Sequence, residues 1–202
     1  MARKGRVKRK TRETDITVDI ELDGTGRTEV ETGIPFFDHM LESLGRHALF
    51  NLKIKATGDI EVDYHHTVED VGLCLGQAMA EALGDKKGIQ RFGAMKIPMI
   101  DALAEVVVDI AGRPNLEYRV KLPRRKPRTE EGMPPLGTTL VEEFLRAFAS
   151  TLGADLHVIL HYGRDPHHSI EAIFKALARA LMEATAKNRR IKGVLSTKGC
   201  LK

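Results

Sequence analysis

The stretch His65-His66-Thr67-Val68-Glu69-Asp70 returns later in the chain as His167-His168-Ser169-Ile170-Glu171-Ala172. At the start of a helix, the first histidine and the glutamate are four residues apart and the second histidine and the glutamate three. All three can therefore share one face. Imidazole nitrogens with a carboxylate oxygen suit a borderline divalent metal such as Mn, Fe, Co or Zn. A single cluster of this kind could be a chance of surface composition. Two with identical internal spacing favour function.

The repeat extends beyond the motif. Asp63 to Ala82 lies over Asp165 to Ala184, matching Asp63/Asp165, both histidines, Glu69/Glu171, Leu75/Leu177, Ala78/Ala180, Glu81/Glu183 and Ala82/Ala184. Upstream, with a two-residue difference in loop length, residues 38–44 lie over 142–148 and residues 51–55 over 155–159. Ile16, Val18, Ile20 and Leu22 alternate with polar residues as in a half-buried strand. Gly24 and Gly26 mark a turn, after which 27–32 is expected to return as a hairpin partner. Residues 36–49 read as a helix, 52–56 as a strand and 60–63 as a short extended piece. The helix after His66 carries Val68, Val71, Leu75, Ala78 and Ala82 as a core stripe. Its other stripe holds Gly72 and Gly76, which leave room either for a substrate or for a close helix neighbour. In the second half, strands near 95–99, 105–110 and 116–122 precede a loop at 123–137 with four prolines. A helix near 139–152, a strand at 155–161 and a helix at 167–186 complete it.

These patterns give an α+β chain of internally duplicated ββαβα half-domains, with helices covering sheets. The repeats span about 6–88 and 89–186, followed by a C-terminal tail. The 202 residues suffice for one domain with a large core. A formal charge of +4 favours anionic ligands, although seven Lys or Arg crowd the first twelve residues. That run reads as a solvated terminus or, in a second reading, as a nucleic-acid arm. No secretory signal or membrane-length apolar run is visible, and Cys74 and Cys200 show neither metal nor disulfide spacing. A reduced, cytoplasmic protein is expected.

Outside the two pairs stand His39, His47, His157 and His161. His157 projects from a strand on the side opposite Leu156, Val158 and Leu160. Either His39 or His157 could be a hydrogen-bonded structural residue or complete a metal shell. Lys175 follows Glu171 by one helical turn, as an ordinary i,i+4 pair or as an ammonium reaching a metal-bound anion. Arg91, Arg113 and Lys198 stand beside glycine or proline in loops; with Ser196 they could make a phosphate site.

FFDHM, DYHHTVED, KKGIQRFG, GRPNL, HHSIEAIFKALARAL and STKG, in this order, closely resemble the imidazoleglycerol-phosphate dehydratase family, over about Arg6 to the C-terminus. The resemblance implies a lyase of L-histidine biosynthesis that dehydrates D-erythro-imidazole-glycerol phosphate to imidazole-acetol phosphate. It implies two Mn(II) ions per active site, whose Lewis acidity favours an imidazolate that expels hydroxide. The implied metal ligands are His39, His65, His66, Glu69, His157, His167, His168 and Glu171. Implied substrate contacts are Glu13, Arg91, Arg113, Lys175, Ser196 and Lys198, with Glu13, Glu171 and His65 as candidate catalytic groups. The small phosphorylated imidazole would be the partner, with no nucleic acid and no membrane. Also implied are helices packed between two sheets, and a homo-oligomer of 24 subunits built from trimers with sites between subunits. Tyr64, Ser43 and Leu195 depart from residues common in the family. Two rivals use the same residues differently: a metal-dependent hydrolase of a phosphorylated metabolite, and a nucleic-acid binder with structural metals.

Overall fold

The computed structural model describes residues 2–123 and 136–201. Most of the proline-containing loop expected at 123–137 lies outside the described residues. The first half comprises β1 (Lys4–Lys10), β2 (Thr14–Glu21), β3 (Thr28–Glu31), α1 (Pro35–Ala48), β4 (Asn51–Gly58) and α2 (His65–Leu83). The second comprises β5 (Phe92–Met99), β6 (Ala102–Asp109), β7 (Asn115–Arg119), α3 (Thr138–Leu152), β8 (Asp155–Tyr162) and α4 (Pro166–Thr185). The sheets run β1-β2-β4-β3 and β5-β6-β8-β7, so each half repeats one topology. Helices α1 and α2 cover the first sheet, α3 and α4 the second, and the helical layers meet through α2 on α3 and α1 on α4.

Alternation drives this layering. Val7, Ile16, Val18, Ile20, Leu52 and Ile54 point inward and are buried against the α2 stripe Val68, Val71, Leu75 and Ala78. The second half repeats it with Ala104, Val106, Val108, Leu156 and Val158 under Ile170, Ile173, Leu177 and Ala180. Between the helical layers, Phe144 meets Phe37 edge-on at 5.4 Å and stacks on Phe174 at 5.5 Å. Helix and sheet backbones come unusually close at Gly5 and Gly93. A Cβ there would lie 1.9 Å from the Ala78 carbonyl oxygen and 2.0 Å from that of Ala180.

Three expectations need correction. The basic N-terminal run is largely β1, an edge strand, because Gly5, Val7 and Arg9 alternate inward while Lys4, Arg6, Lys8 and Lys10 alternate outward. Its outward cations face acids of β2: Lys4–Glu21 at 3.6 Å, Arg6–Asp19 at 3.3 Å and Lys10–Asp15 at 2.9 Å. Such exposed pairs contribute at most about 1 kcal/mol each. With β1 on one side of β2 and β4 on the other, residues 28–31 cannot form the expected hairpin. They pair in parallel with β4 instead. Residues 60–62 form a turn, closed by the Val62 N–H donating to the Asp59 carbonyl at 2.8 Å, in place of the extended piece expected at 60–63.

Candidate metal and anion site

Each histidine pair sits in the first turn of its helix, held by an aspartate just upstream. Asp165 caps α4, its Oδ1 accepting from the backbone N–H of His167 at 2.7 Å and of His168 at 3.3 Å. Asp63 Oδ1 accepts from the His65 N–H at the same 2.7 Å, so the start of α2 is fastened although Tyr64 itself offers no side-chain cap. Adjacent rings stand nearly perpendicular in both pairs, at 83° and 81°. The two histidines of a pair therefore address different surroundings.

His167 Nε2 lies 3.3 Å from Glu171 Oε2, and α1, packed on α4, brings His39 Nε2 to 3.9 Å from the same oxygen. Among the described residues, these are the one set of three donors within 4.8 Å of one another. A first-row divalent ion with bonds of about 2.1 Å needs neighbouring donors about 3 Å apart, which this spread approaches. Phe36 packs edge-on against the His167 ring at 5.1 Å. Lys175 Nζ donates to Glu171 Oε1 at 2.8 Å, leaving Oε2 toward the imidazoles. Burial pushes the Glu171 carboxyl up, but Lys175, His39 and His167 together hold it below the usual carboxylate value.

Among the described residues, the remaining predicted ligands fall outside this triad. His65 and Glu69 repeat the helix-turn pair at 3.4 Å, with Glu143 of α3 rather than a histidine in the place corresponding to His39. His66 Nδ1 pairs with Asp59 at 3.0 Å, and its Nε2 is 3.9 Å from Glu13. The hydrogen bond to Asp59 raises the His66 pKa. His168 Nδ1 pairs with Asp101 at 2.8 Å. Carboxylates behind imidazoles orient the ring and make it a better ligand. Asp59 and Asp101 escaped the sequence reading. The duplication could have found Asp101, since the strand registers place it where Glu13 stands in the first half. His157 lies on the outward face of β8, its Nε2 3.3 Å from Asp155, away from the helix termini.

The predicted anion contacts fall into two cavities. Arg91, Arg113, Ser196 and Lys198 line one of about 560 Å³. There Arg91 donates from Nε and Nη2 to Asp109 at 2.6 and 2.8 Å, and from Nη1 to the Leu195 carbonyl at 2.7 Å. Leu195 thus holds this arginine through its backbone carbonyl. Arg91 also holds φ +71°, a region that non-glycine residues seldom occupy. Lys175 belongs to the other cavity, about 540 Å³, with His39, Ser43, Arg46, His47 and Glu171. Ser43 Oγ is buried there with no hydrogen-bond partner among the described residues. A third cavity, about 700 Å³, opens over the outer face of the first sheet and holds none of the predicted site residues.

Residues 32–181 match the family model described as imidazoleglycerol-phosphate dehydratase. The chain belongs to that family. It is 52% identical over 201 residues to the imidazoleglycerol-phosphate dehydratase of Geobacter sulfurreducens, covering 100% of both chains. It is 53% identical to that of Shouchella clausii, again over 100% of both. Among solved structures, the family enzyme of Pyrococcus furiosus in complex with (S)-C348 matches with a TM-score of 0.82 at 36% identity, covering 96% of this chain and 100% of that one. That of Staphylococcus aureus subsp. aureus N315 matches with a TM-score of 0.78 at 37% identity, covering 92% and 99%. Fold and family thus agree on a layered α+β enzyme. No helix among the described residues is long and apolar enough to cross a membrane.

Proposed function

We propose that this chain dehydrates D-erythro-imidazole-glycerol phosphate to imidazole-acetol phosphate, a step of L-histidine biosynthesis. The observation that carries the proposal is the convergence of His39, His167 and Glu171 from two helices, with Lys175 on the same carboxylate. Membership of the family supplies the reaction. A triad of two imidazoles and one carboxylate leaves coordination positions open, as a metal that must meet substrate requires. We assign one Mn(II) to His39, His167 and Glu171, and a second to His65 and Glu69. His66, His157 and His168 would complete the two shells. When bound, the metal supplies Lewis acidity, which acidifies the substrate's imidazole ring.

The protein's own groups do the remaining work. Glu13 stands 3.9 Å from His66 on an exposed loop, where its carboxylate can exchange a proton with substrate. Lys175, Arg113, Ser196 and Lys198 offer positive charge and donors to the phosphate. The tail after α4 folds back onto the connector between the repeats, where the Gly88 N–H donates to the Gly193 carbonyl at 2.7 Å, and Ser196 and Lys198 lie beside Arg91. This supports reading residues 1–202 as two repeats and a substrate-binding tail. The metal cluster and the Arg91 cavity share no lining residue, and His157 faces outward. Both features fit a site assembled between copies of the chain, in the 24-subunit shell of trimers that the resemblance implies.

Purified protein supplied with Mn(II) is expected to convert the substrate to a ketone whose enol absorbs in alkali, with no free phosphate released. Phosphate release without that ketone would instead establish the hydrolase reading. Chelation with EDTA is expected to abolish turnover and Mn(II) to restore it, followed by ketone formation. Arg113→Ala and Lys175→Met are each expected to raise KM by about tenfold to a hundredfold, the loss of one charge-assisted contact. Arg113 is exposed, so its replacement should leave the unfolding temperature unchanged.

A further inference from the structure

The duplication allows one packing position to be compared with itself. Strand registers set Gly5 opposite Ile20 and Gly93 opposite Val108, so Arg9 corresponds to Ile97 and Thr14 to Ala102. The helix repeat sets Asp70 over Ala172. In the second half the position is apolar, with Ala102 and Ala172 at 1% and 0% exposure. In the first half it is ionic. Arg9 Nη1 donates to Asp70 Oδ2, and Thr14 Oγ1 donates to the same oxygen at 2.5 Å. Asp70 and Thr14 are only 7% and 4% exposed.

The fold evidently does not require the ionic version, since its other half does without it. Buried ion pairs are in general no more stabilising than well-packed apolar side chains of similar volume. What distinguishes the first half is what the network joins. Thr14 directly follows Glu13 in the β1–β2 loop, and Asp70 directly follows Glu69 on α2, the helix that presents His65 and His66. Thr11 Oγ1 accepts from the backbone N–H of both Glu13 and Thr14, at 3.1 and 2.9 Å, which ties the two residues to the same loop hydroxyl. The Glu13 carbonyl also accepts from the Asp59 N–H at 3.1 Å, and the Asp59 carboxylate holds His66.

We infer that Arg9, Thr14 and Asp70 are positioning residues, a clamp that fixes the Glu13 loop relative to the His65–His66 helix start. The inference rests on the acid/base role proposed above for Glu13. The network's two ends lie one residue from Glu13 and one from Glu69. Displacing an acid/base group by even about 1 Å can cost on the order of a hundredfold in rate.

The test uses full-length Mn(II)-loaded enzyme and reads kcat, KM, bound Mn(II) per chain and thermal unfolding. Thr14→Val is expected to lower kcat about tenfold or more with KM and metal content unchanged, and Thr14→Ser to restore it. The triple replacement Arg9→Ile, Thr14→Ala, Asp70→Ala transplants the second half's packing. It is expected to fold, to keep its metal and to show the same kcat defect. In a Glu13→Gln background, Thr14→Val should add no further loss, because both changes remove one function. Full kcat in the triple variant, metal loss in Thr14→Val, or an independent further loss in the Glu13→Gln background would each overturn the clamp. Should Glu13→Gln itself match the wild type, the role of Glu13 fails and the clamp falls with it. Loss in Glu13→Gln beside full activity in Thr14→Val refutes the clamp alone.

Discussion

Glu171→Gln is expected to leave a folded protein that retains little divalent metal and turns over substrate about a thousandfold more slowly. The replacement preserves shape, so the surrounding packing of Ile170, Ala172 and Phe174 is undisturbed. It removes the one negative charge that His39 and His167 share at 3.9 and 3.3 Å. It also leaves the Lys175 ammonium beside a neutral amide at the 2.8 Å contact, where it repels a cation instead of orienting a carboxylate. Loss of groups that merely orient a metal ligand costs about 10–100-fold. Loss of the ligand itself should exceed that. Bound metal per chain, measured alongside kcat, checks the assignment. His167→Ala should behave alike, and full metal retention in both variants would remove the triad from the site.

The second large effect is on stability. Gly76→Ala is expected to destabilise the fold by about 3 kcal/mol or more, read from the shift of the urea midpoint. In an exposed helix interior this substitution stabilises by roughly 0.8–1 kcal/mol, because glycine carries the larger backbone entropy. Here the sign reverses. A Cβ on Gly76 would lie 2.2 Å from Thr151 Oγ1 and 2.4 Å from the Phe148 carbonyl oxygen. The hydroxyl could rotate away, but the carbonyl belongs to α3 and moves only with its helix, at an overpacking cost of typically 1–3 kcal/mol and sometimes more. Gly72 is in a similar position, 2.6 Å from the Phe144 carbonyl oxygen. Of the two uses considered for these glycines, close packing of α2 on α3 is therefore the one observed, and neither opens a substrate space.

Much of this was legible in the residue order. Alternation at 16–22 and the helical stripes after each histidine pair identified the core strands and helices, because burial imposes those periods directly. The misread elements were those whose partners lie far away. The β1 residues look like a charged tail until the acids of β2 stand opposite them. Residues 28–31 have no local signal for parallel pairing with β4. Asp59 and Asp101 sit in turns, and nothing along the chain says that their carboxylates will meet His66 and His168.

Residue order alone establishes that this protein is internally duplicated, that each half presents two histidines and a glutamate on one helical turn, and that it belongs with the imidazoleglycerol-phosphate dehydratases. Helical spacing accounts for the shared face, since groups three and four residues apart are neighbours on a helix, whereas the family follows from the order of the motifs. It takes the packed helices to bring His39 to His167 and Glu171, while His65 and Glu69 gain no third donor among the described residues. The tertiary structure also separates Lys175 from the Arg91 cavity. The approach of His39 to Glu171 is set by α1 packing on α4, through buried apolar side chains that carry no chemistry of their own.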